Sequence, residues 1–305
     1  MHLGLNQAEQ ARKTAEQAQA HNIDSVFLRL VLYQAAFLRG DRETMERQLA
    51  WAAGRAGEED WLLSTQSDTE AYFGRLGKGR ELSRRAVDSA QRADAKEAAA
   101  LWQANAALRE AEFGNTALAH QNATAALVLA SGREVESVAA LALARAGDTA
   151  QAKKVADSLN QDFPRDTTVQ QYWLPAIHSA IAIDQKNPTL GLQVLQTAAP
   201  YELRQCEPFQ LGMMYPVYLR GEAYLQAHQG AEAAAEFQKI MDHRGIVLNF
   251  PLGVLAHLGL ARAYLLEDDK TKASAAYQDF LVLWKDADTD IPIYQQAKAE
   301  YARLQ

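Results

Sequence analysis

A single cysteine, Cys206, occurs in 305 residues. One thiol excludes internal disulfides and any cysteine-based zinc site, and leaves the redox compartment open. Long apolar runs are missing too. The longest, Val138 to Ala144, is seven residues and cannot span a bilayer. The start, Met1-His2-Leu3-Gly4-Leu5-Asn6, has no basic beginning and no apolar core, so no secretory signal is expected there. Basic residues are in deficit, with 31 Lys and Arg against 38 Asp and Glu, and the net charge of −7 argues against nucleic acid as a partner. The seven histidines include no pair three or four residues apart, so no helical metal site is visible. No Gly-x-Ser-x-Gly nucleophile elbow occurs. Proline is scarce, eight in all, and none precedes Pro164, which leaves the first half without a helix breaker.

Alanine is abundant instead: 58 residues, against 17 glycines. It is the strongest helix former, so an all-α chain with closely packed backbones is expected. Prolines 164, 175, 188, 200, 208, 216, 251 and 292 fall where helices should start or stop. Turn signals recur at Gly40-Asp41, Gly77-Lys78, Gly114-Asn115, Gly147-Asp148, Lys186-Asn187-Pro188, His228-Gln229-Gly230 and Glu267-Asp268-Asp269. A glycine there supplies a left-handed C-cap, and the Asp or Asn after it can cap the next helix. The first gaps are 37, 37 and 33 residues and later ones lie near 40, a period that signals a repeat array.

A finer stripe accompanies that period. Gly221, Tyr224, Ala233, Phe237 and Ile240 form the clearest unit, and Ala261, Tyr264, Ala273, Tyr277 and Phe280 repeat it 40 residues later. An earlier unit reads Ala140, Leu143, Ala152, Ala156 and Leu159. Weaker copies are Tyr33, Ala36, Met45, Leu49, Ala52, then Glu70, Phe73, Leu82, Ala86, Ser89. Two more are Ala107, Glu110, Ala119, Ala123, Ala126 and Ser179, Ala182, Gly191, Leu195, Ala198. Small residues let paired helices approach, and a large side chain from one fills the gap they leave. A single hairpin has too little core to stand alone and must bury its face on its neighbours.

This spacing resembles the tetratricopeptide repeat, W-x2-L-G-x2-Y, then A-x3-F, then P. The resemblance covers essentially the whole chain. It implies an all-α, right-handed α-α superhelix: hairpins at about 22–55, 60–92, 95–131, 133–164, 172–200, 213–243 and 252–285, an orphan helix 6–20 and a terminal helix 292–304. Extra residues before Trp173, Met213 and Val254 lengthen the period and disturb a regular pitch in the second half. Four strings resemble a narrower group: Ala-Ala-Pro-Tyr-Glu-Leu (198–203), Tyr-Pro-Val-Tyr-Leu-Arg-Gly-Glu-Ala-Tyr-Leu (215–225), His-Arg-Gly-Ile-Val-Leu-Asn (243–249) and Trp-Lys-Asp-Ala-Asp (284–288). They are similar to the C-terminal repeat regions of acidobacterial serine/threonine protein kinases and winged-helix regulators. That resemblance implies a repeat region of a longer protein.

Several chemical-looking strings have plainer readings. His243-Arg244-Gly245 has glycine where a kinase loop needs its aspartate, and Asp162-Phe163-Pro164 ends in proline. Gly74-Arg75-Leu76-Gly77-Lys78-Gly79 lacks P-loop spacing and reads as an inter-helix turn. Asp286-Ala287-Asp288-Thr289-Asp290 opens like a calcium loop but has Ile291 for the glycine and Ala297 for the glutamate. It reads as an acidic cap on the helix beginning at Pro292. Asn122-Ala123-Thr124 falls mid-helix, and Cys206 reads as structural. Arg75, Lys78, Arg80, Arg84, Arg85 and Arg92, with Glu81 and Asp88 interspersed, read as a solvated face with intrahelical ion pairs, with a docking patch as the minor alternative.

No catalytic centre, metal or cofactor is expected. The resemblance implies a protein or peptide bound in the concave groove, at Gln34, Arg75, Glu112, Arg145, Trp173, Tyr218, Glu222 and Arg262. Aromatic and arginine anchors dominate binding surfaces, which singles out Trp173 and Tyr218. The run of Lys, Asn and Arg by which some members grip a terminal carboxylate is missing, so a carboxylate clamp is not expected. Two rival readings stand beside this one: the sensory arm of a kinase whose catalytic domain lies outside this chain, and the small-molecule-sensing arm of a transcription regulator. A homodimer through the exposed face of the orphan helix fits the pattern. A cytoplasmic setting is favoured, or an extracytoplasmic one if a membrane span precedes the repeats.

Overall fold

Asp41, Asp148, Asn187 and Asp269 each follow a left-handed residue that ends one helix. Each side chain accepts the backbone amide three residues on, at 3.0 to 3.2 Å, and so starts the next helix. Asn115, in the same place after Gly114, makes no such cap. The expected turn at Gly77 falls three residues earlier, at Gly74, whose φ of +73° suits glycine. Gly77 instead lies in the first turn of the helix that begins at Leu76.

The computed structural model describes residues 2–204 and 213–304; the expectations for Cys206 and Pro208 lie outside them. Among the described residues there is no strand. Helix α1 (Ala8–Ala20) leads, and hairpins follow: α2 (Val26–Arg39) with α3 (Arg42–Ala52), α4 (Glu59–Tyr72) with α5 (Leu76–Arg92), and α6 (Lys96–Glu112) with α7 (Thr116–Leu129). Next come α8 (Arg133–Arg145) with α9 (Thr149–Asp162), α10 (Leu174–Asp184) with α11 (Pro188–Leu195), and α12 (Tyr215–Gln226) with α13 (Gly230–Asp242). A short α14 (Arg244–Val247) precedes the pair α15 (Leu252–Leu266) and α16 (Lys270–Leu283), and α17 (Pro292–Ala302) ends the array. First helices of neighbouring hairpins pack on one another at α2 and α4, α6 and α8, α8 and α10, α10 and α12, and α12 and α15, whereas α4 meets α6 mainly through side chains.

The repeat stripes carry the core. Ala140, Leu143, Ala152, Ala156 and Leu159 are all buried, as are Ala107, Ala119, Ala123 and Ala126. Among the stripe residues only Met45, Leu49, Glu70, Phe73, Tyr224 and Tyr264 are half-buried. The packing logic is clearest at Phe237, where a Cβ added to Gly221 would stand 2.8 Å from its ring and one on Gly259 2.6 Å. Two glycines make the slot that this ring fills.

The inserts take distinct forms. Val169–Trp173 is a π-helical turn, and Gln196–Tyr201 a 3-10 segment. Residues 245–251, between α13 and α15, are all buried. Connecting segments usually run over the surface, because a buried one must find partners for its backbone. This one lies against α4, where Asn249 Nδ2 donates to the Thr65 carbonyl (2.7 Å) and to Thr69 Oγ1 (3.0 Å). At its start, Asn6 Nδ2 donates to the Asp242 carbonyl and the Gly245 amide donates to Asn6 Oδ1, both at 2.7 Å.

The acidic run 286–290 behaves differently from expectation. Asp288 does not cap α17, whose N-cap Ile291 offers no side-chain acceptor. Its Oδ2 accepts from the Gly77 amide (2.6 Å) and its own amide donates to the Gly74 carbonyl (2.9 Å), so the negative charge sits on the N-terminus of α5. The reason is tertiary: the end of the array has come round to meet its second hairpin.

Candidate binding site on the inner face

Arg145 ends α8, and two glutamates converge on it. Its Nε and Nη2 meet the Glu112 carboxylate from α6 at 2.7 and 2.9 Å, a bidentate pair. Its Nη1 lies 2.6 Å from Glu222 Oε2 on α12. The Tyr215 hydroxyl donates to Glu112 Oε1 at 3.3 Å, and Tyr218 lies with its ring centre 5.8 Å from the Arg145 guanidinium carbon. Helices α6 and α12 belong to hairpins three apart, so the network ties the third hairpin to the sixth.

One guanidinium serves two carboxylates, and burial sets the balance. Burial pushes the Glu112 carboxyl up, Arg145 pulls it down, and neighbouring Glu222 adds to the rise. Burial works against the Arg145 charge, but Glu112 and Glu222 outweigh it and hold the guanidinium protonated. Burial, with the charges of Glu222 and Glu112, also raises the Tyr218 phenol. Arg262 on α15 continues the strip, pairing with Glu300 of α17 through two hydrogen bonds of 3.0 Å. The Tyr277 hydroxyl donates to the same carboxylate at 2.8 Å.

Of the eight residues expected to line the groove, Glu112, Arg145, Tyr218 and Glu222 are brought together. Arg262 lies close enough to act on the Tyr218 phenol. No hydrogen bond, ion pair or ring contact among the described residues joins Gln34, Arg75 or Trp173 to that group. Arg75 pairs with Glu70 and lies over Phe73, while Trp173 packs edge-on against Tyr172. Glu112 and Tyr218 are 4% and 5% exposed, whereas the side chains of Arg145, Glu222 and Arg262 keep 14%, 22% and 28%. The solvent-facing part of the strip is therefore its arginines and Glu222. Tyr215, Tyr277 and Glu300 are not among the expected groove residues; Tyr215 opens the string 215–225 and Tyr277 lies on a repeat stripe, while Glu300 carries no signal in the sequence.

A second polar cluster lies deeper. Arg109 pairs with Asp68 and donates to Ser83, and Asn105 Nδ2 reaches the same carboxylate at 3.1 and 3.2 Å. The basic stretch on α5 is only partly an intrahelical affair. Lys78 and Arg85 pair with Glu81, but Arg80 reaches across to Glu110 on α6 with bonds of 2.7 and 2.8 Å. Among the described residues, no three His, Cys, Asp or Glu side chains gather as metal ligands would. No helix there is long and apolar enough to cross a membrane.

Neither a protein-family model nor a curated protein sequence matches the chain. Among solved structures, it is similar to a tetratricopeptide repeat protein from Parabacteroides merdae, at 10% identity over 97% of this chain and 98% of that one, with a TM-score of 0.50. Yeast Tom70 is matched over 98% of this chain but 59% of its own, at 14% identity and a TM-score of 0.49. The P58(IPK) TPR domain is matched over 99% and 95%, at 13% identity and a TM-score of 0.31. The fold is thus an all-α superhelix of the tetratricopeptide-repeat kind. At such identities the likeness speaks for the fold alone.

Proposed function

We propose that the chain is a non-catalytic interaction region of a larger signalling protein, taking a protein or peptide segment along the inner face of its helical array. The observation that carries this reading is the Arg145–Glu222–Arg262–Glu300 strip. Its charges of both signs pair with each other, yet stay open enough at their edges to be re-paired by a partner. Rim charges of this kind steer and orient a partner more than they hold it, and Trp173, buried at 6% exposure, supports the core rather than the rim. Affinity capture from a lysate of the source cells, using wild type, Glu222→Gln and Arg262→Gln, whose side chains are among the more open of the strip, tests the idea. We expect both variants to lose the partner while keeping the wild-type helical spectrum. Undiminished capture by both would count against the inner face.

A second reading has its own support. The four strings that resemble kinase- and regulator-linked repeat regions are those at 198–203, 215–225, 243–249 and 284–288. All four carry tertiary contacts: Glu202 with Arg220 and Lys239, Tyr215 and Glu222 in the ion network, Asn249 against α4, and Asp288 on α5. A sensory arm attached to a kinase or winged-helix domain would be built on that closed geometry. The coding sequence upstream of Met1 decides it, by encoding such a domain in frame or not.

A further inference from the structure

Where the array closes, α13, α14, α15 and α16 meet Tyr72 of α4 around a cavity of about 570 Å³, within the range of small-molecule sites. Its walls are apolar at Met241, Val247 and Leu283. Gly253, in the first turn of α15, keeps it open: a Cβ there would stand 3.1 Å from the Tyr72 ring.

Four polar side chains converge on this space with their polar groups unspent. Arg244 forms no ion pair among the described residues, and neither does Asp279. His257 Nδ1 is buried without a hydrogen-bond partner, and the Tyr72 hydroxyl makes no hydrogen bond within the described chain. The groups lie near one another. The charge of Arg244 acts on both the Tyr72 phenol and the His257 imidazole, and that of Asp279 acts on His257 as well. Arg244 and Asp279 are exposed and keep their water, whereas the buried His257 nitrogen is of the kind whose burial cost is ordinarily met by a hydrogen bond. An unpaired cation on α14 and an unpaired carboxylate on α16, lining one partly apolar cavity, define a complementary ligand.

We propose that this cavity binds a small apolar zwitterion of dipeptide size. Its carboxylate is held by Arg244 and the Tyr72 hydroxyl, its ammonium by Asp279, and its apolar body by Met241, Val247 and Leu283. The site is separate from the Arg145 strip and stands whether or not the inner face takes a protein. Because Tyr72 and the other walls belong to opposite ends of the array, a bound ligand would also tie those ends together.

The test is calorimetric titration of the 305-residue chain with leucyl-phenylalanine, its N-acetyl form and its C-terminal amide. The free dipeptide is expected to bind and raise the melting temperature, since binding to the native state stabilises it. Each capped form should bind at least about tenfold more weakly, the worth of one charged hydrogen bond. Arg244→Gln should weaken the free dipeptide but not the amide, and Asp279→Asn the free dipeptide but not the acetylated form. Both side chains are exposed and without protein partners, so the variants should fold. Absence of binding by the free dipeptide, equal binding of either capped form, or indifference to Arg244→Gln would each overturn the assignment.

Discussion

Two carboxylates around one guanidinium leave a net negative charge in a buried place, and the side chain that bears the strain is Glu112. Its folded carboxyl is raised above its unfolded value, chiefly by burial. A group so shifted stabilises the native state fully below the unfolded carboxylate range, and that contribution is lost as pH rises through the raised folded value. Glu112→Gln keeps the shape and an acceptor for Arg145 but does not titrate. Urea unfolding of both proteins from pH 4 to pH 8 isolates the effect, because exposed carboxylates held down by partners, such as Asp41 and Asp269, are common to both. The stability of wild type relative to the variant should fall as pH rises across that range. A flat difference would show that Arg145 fully neutralises Glu112. The family resemblance put Glu112, Arg145 and Glu222 among the expected groove residues, but nothing in the sequence signals that they meet, because they lie 33 and 77 residues apart.

At the scale of elements, helices were legible and the insert before Val254 was not. Alanine stripes and Asp or Asn caps are local, so helix pairs could be read from spacing alone. A segment of seven successive buried residues between α13 and α15 has no such period. Its burial depends on Thr65 and Thr69, far back in the chain, accepting from Asn249. The segment also holds Leu248 at φ +54° and ψ −131°, a conformation that L side chains avoid, while burying its side chain to 4% exposure. Packing has overridden backbone preference here. Two effects then compete on substitution. Removing the side chain costs about 2–5 kcal/mol, and relieving the backbone returns about 1–3 kcal/mol. Leu248→Ala loses the packing and keeps the strain, whereas Leu248→Gly loses both. Glycine should therefore be the less harmful replacement, by about 1 kcal/mol in a chemical melt. If alanine proves the milder change, the conformation at 248 costs nothing and the segment is held by side-chain burial only.

In an open solenoid each repeat touches only its neighbours, and unfolding proceeds by sections. This array departs from that rule. Trp284, fully buried after α16, donates from Nε1 to the Tyr72 carbonyl at 2.9 Å and stacks edge-on against Phe113, 5.1 Å away. The Ile293 amide donates to the Phe113 carbonyl, and Asn6 holds Gly245 from the other end of the chain. A repeat period reports which residues face the next hairpin, and it is silent on which hairpin is met after a full turn. That is why the trough could be expected from the sequence while its closure could not. The closure predicts cooperativity between distant repeats. Trp284→Ala should destabilise by about 3–5 kcal/mol, as for a large buried aromatic. In native-state hydrogen exchange the loss of protection should appear at the C-terminal ends of α4 and α6 as well as in α16 and α17. Those ends carry Tyr72 and the residues just before Phe113, more than a hundred residues away in sequence. Loss confined to α16 and α17 would mean that the repeats behave as an ordinary stack, with the far contacts adding no coupling. Loss at both places would show that the ends of the array stabilise one another, so that whatever binds at the seam controls the stiffness of the whole.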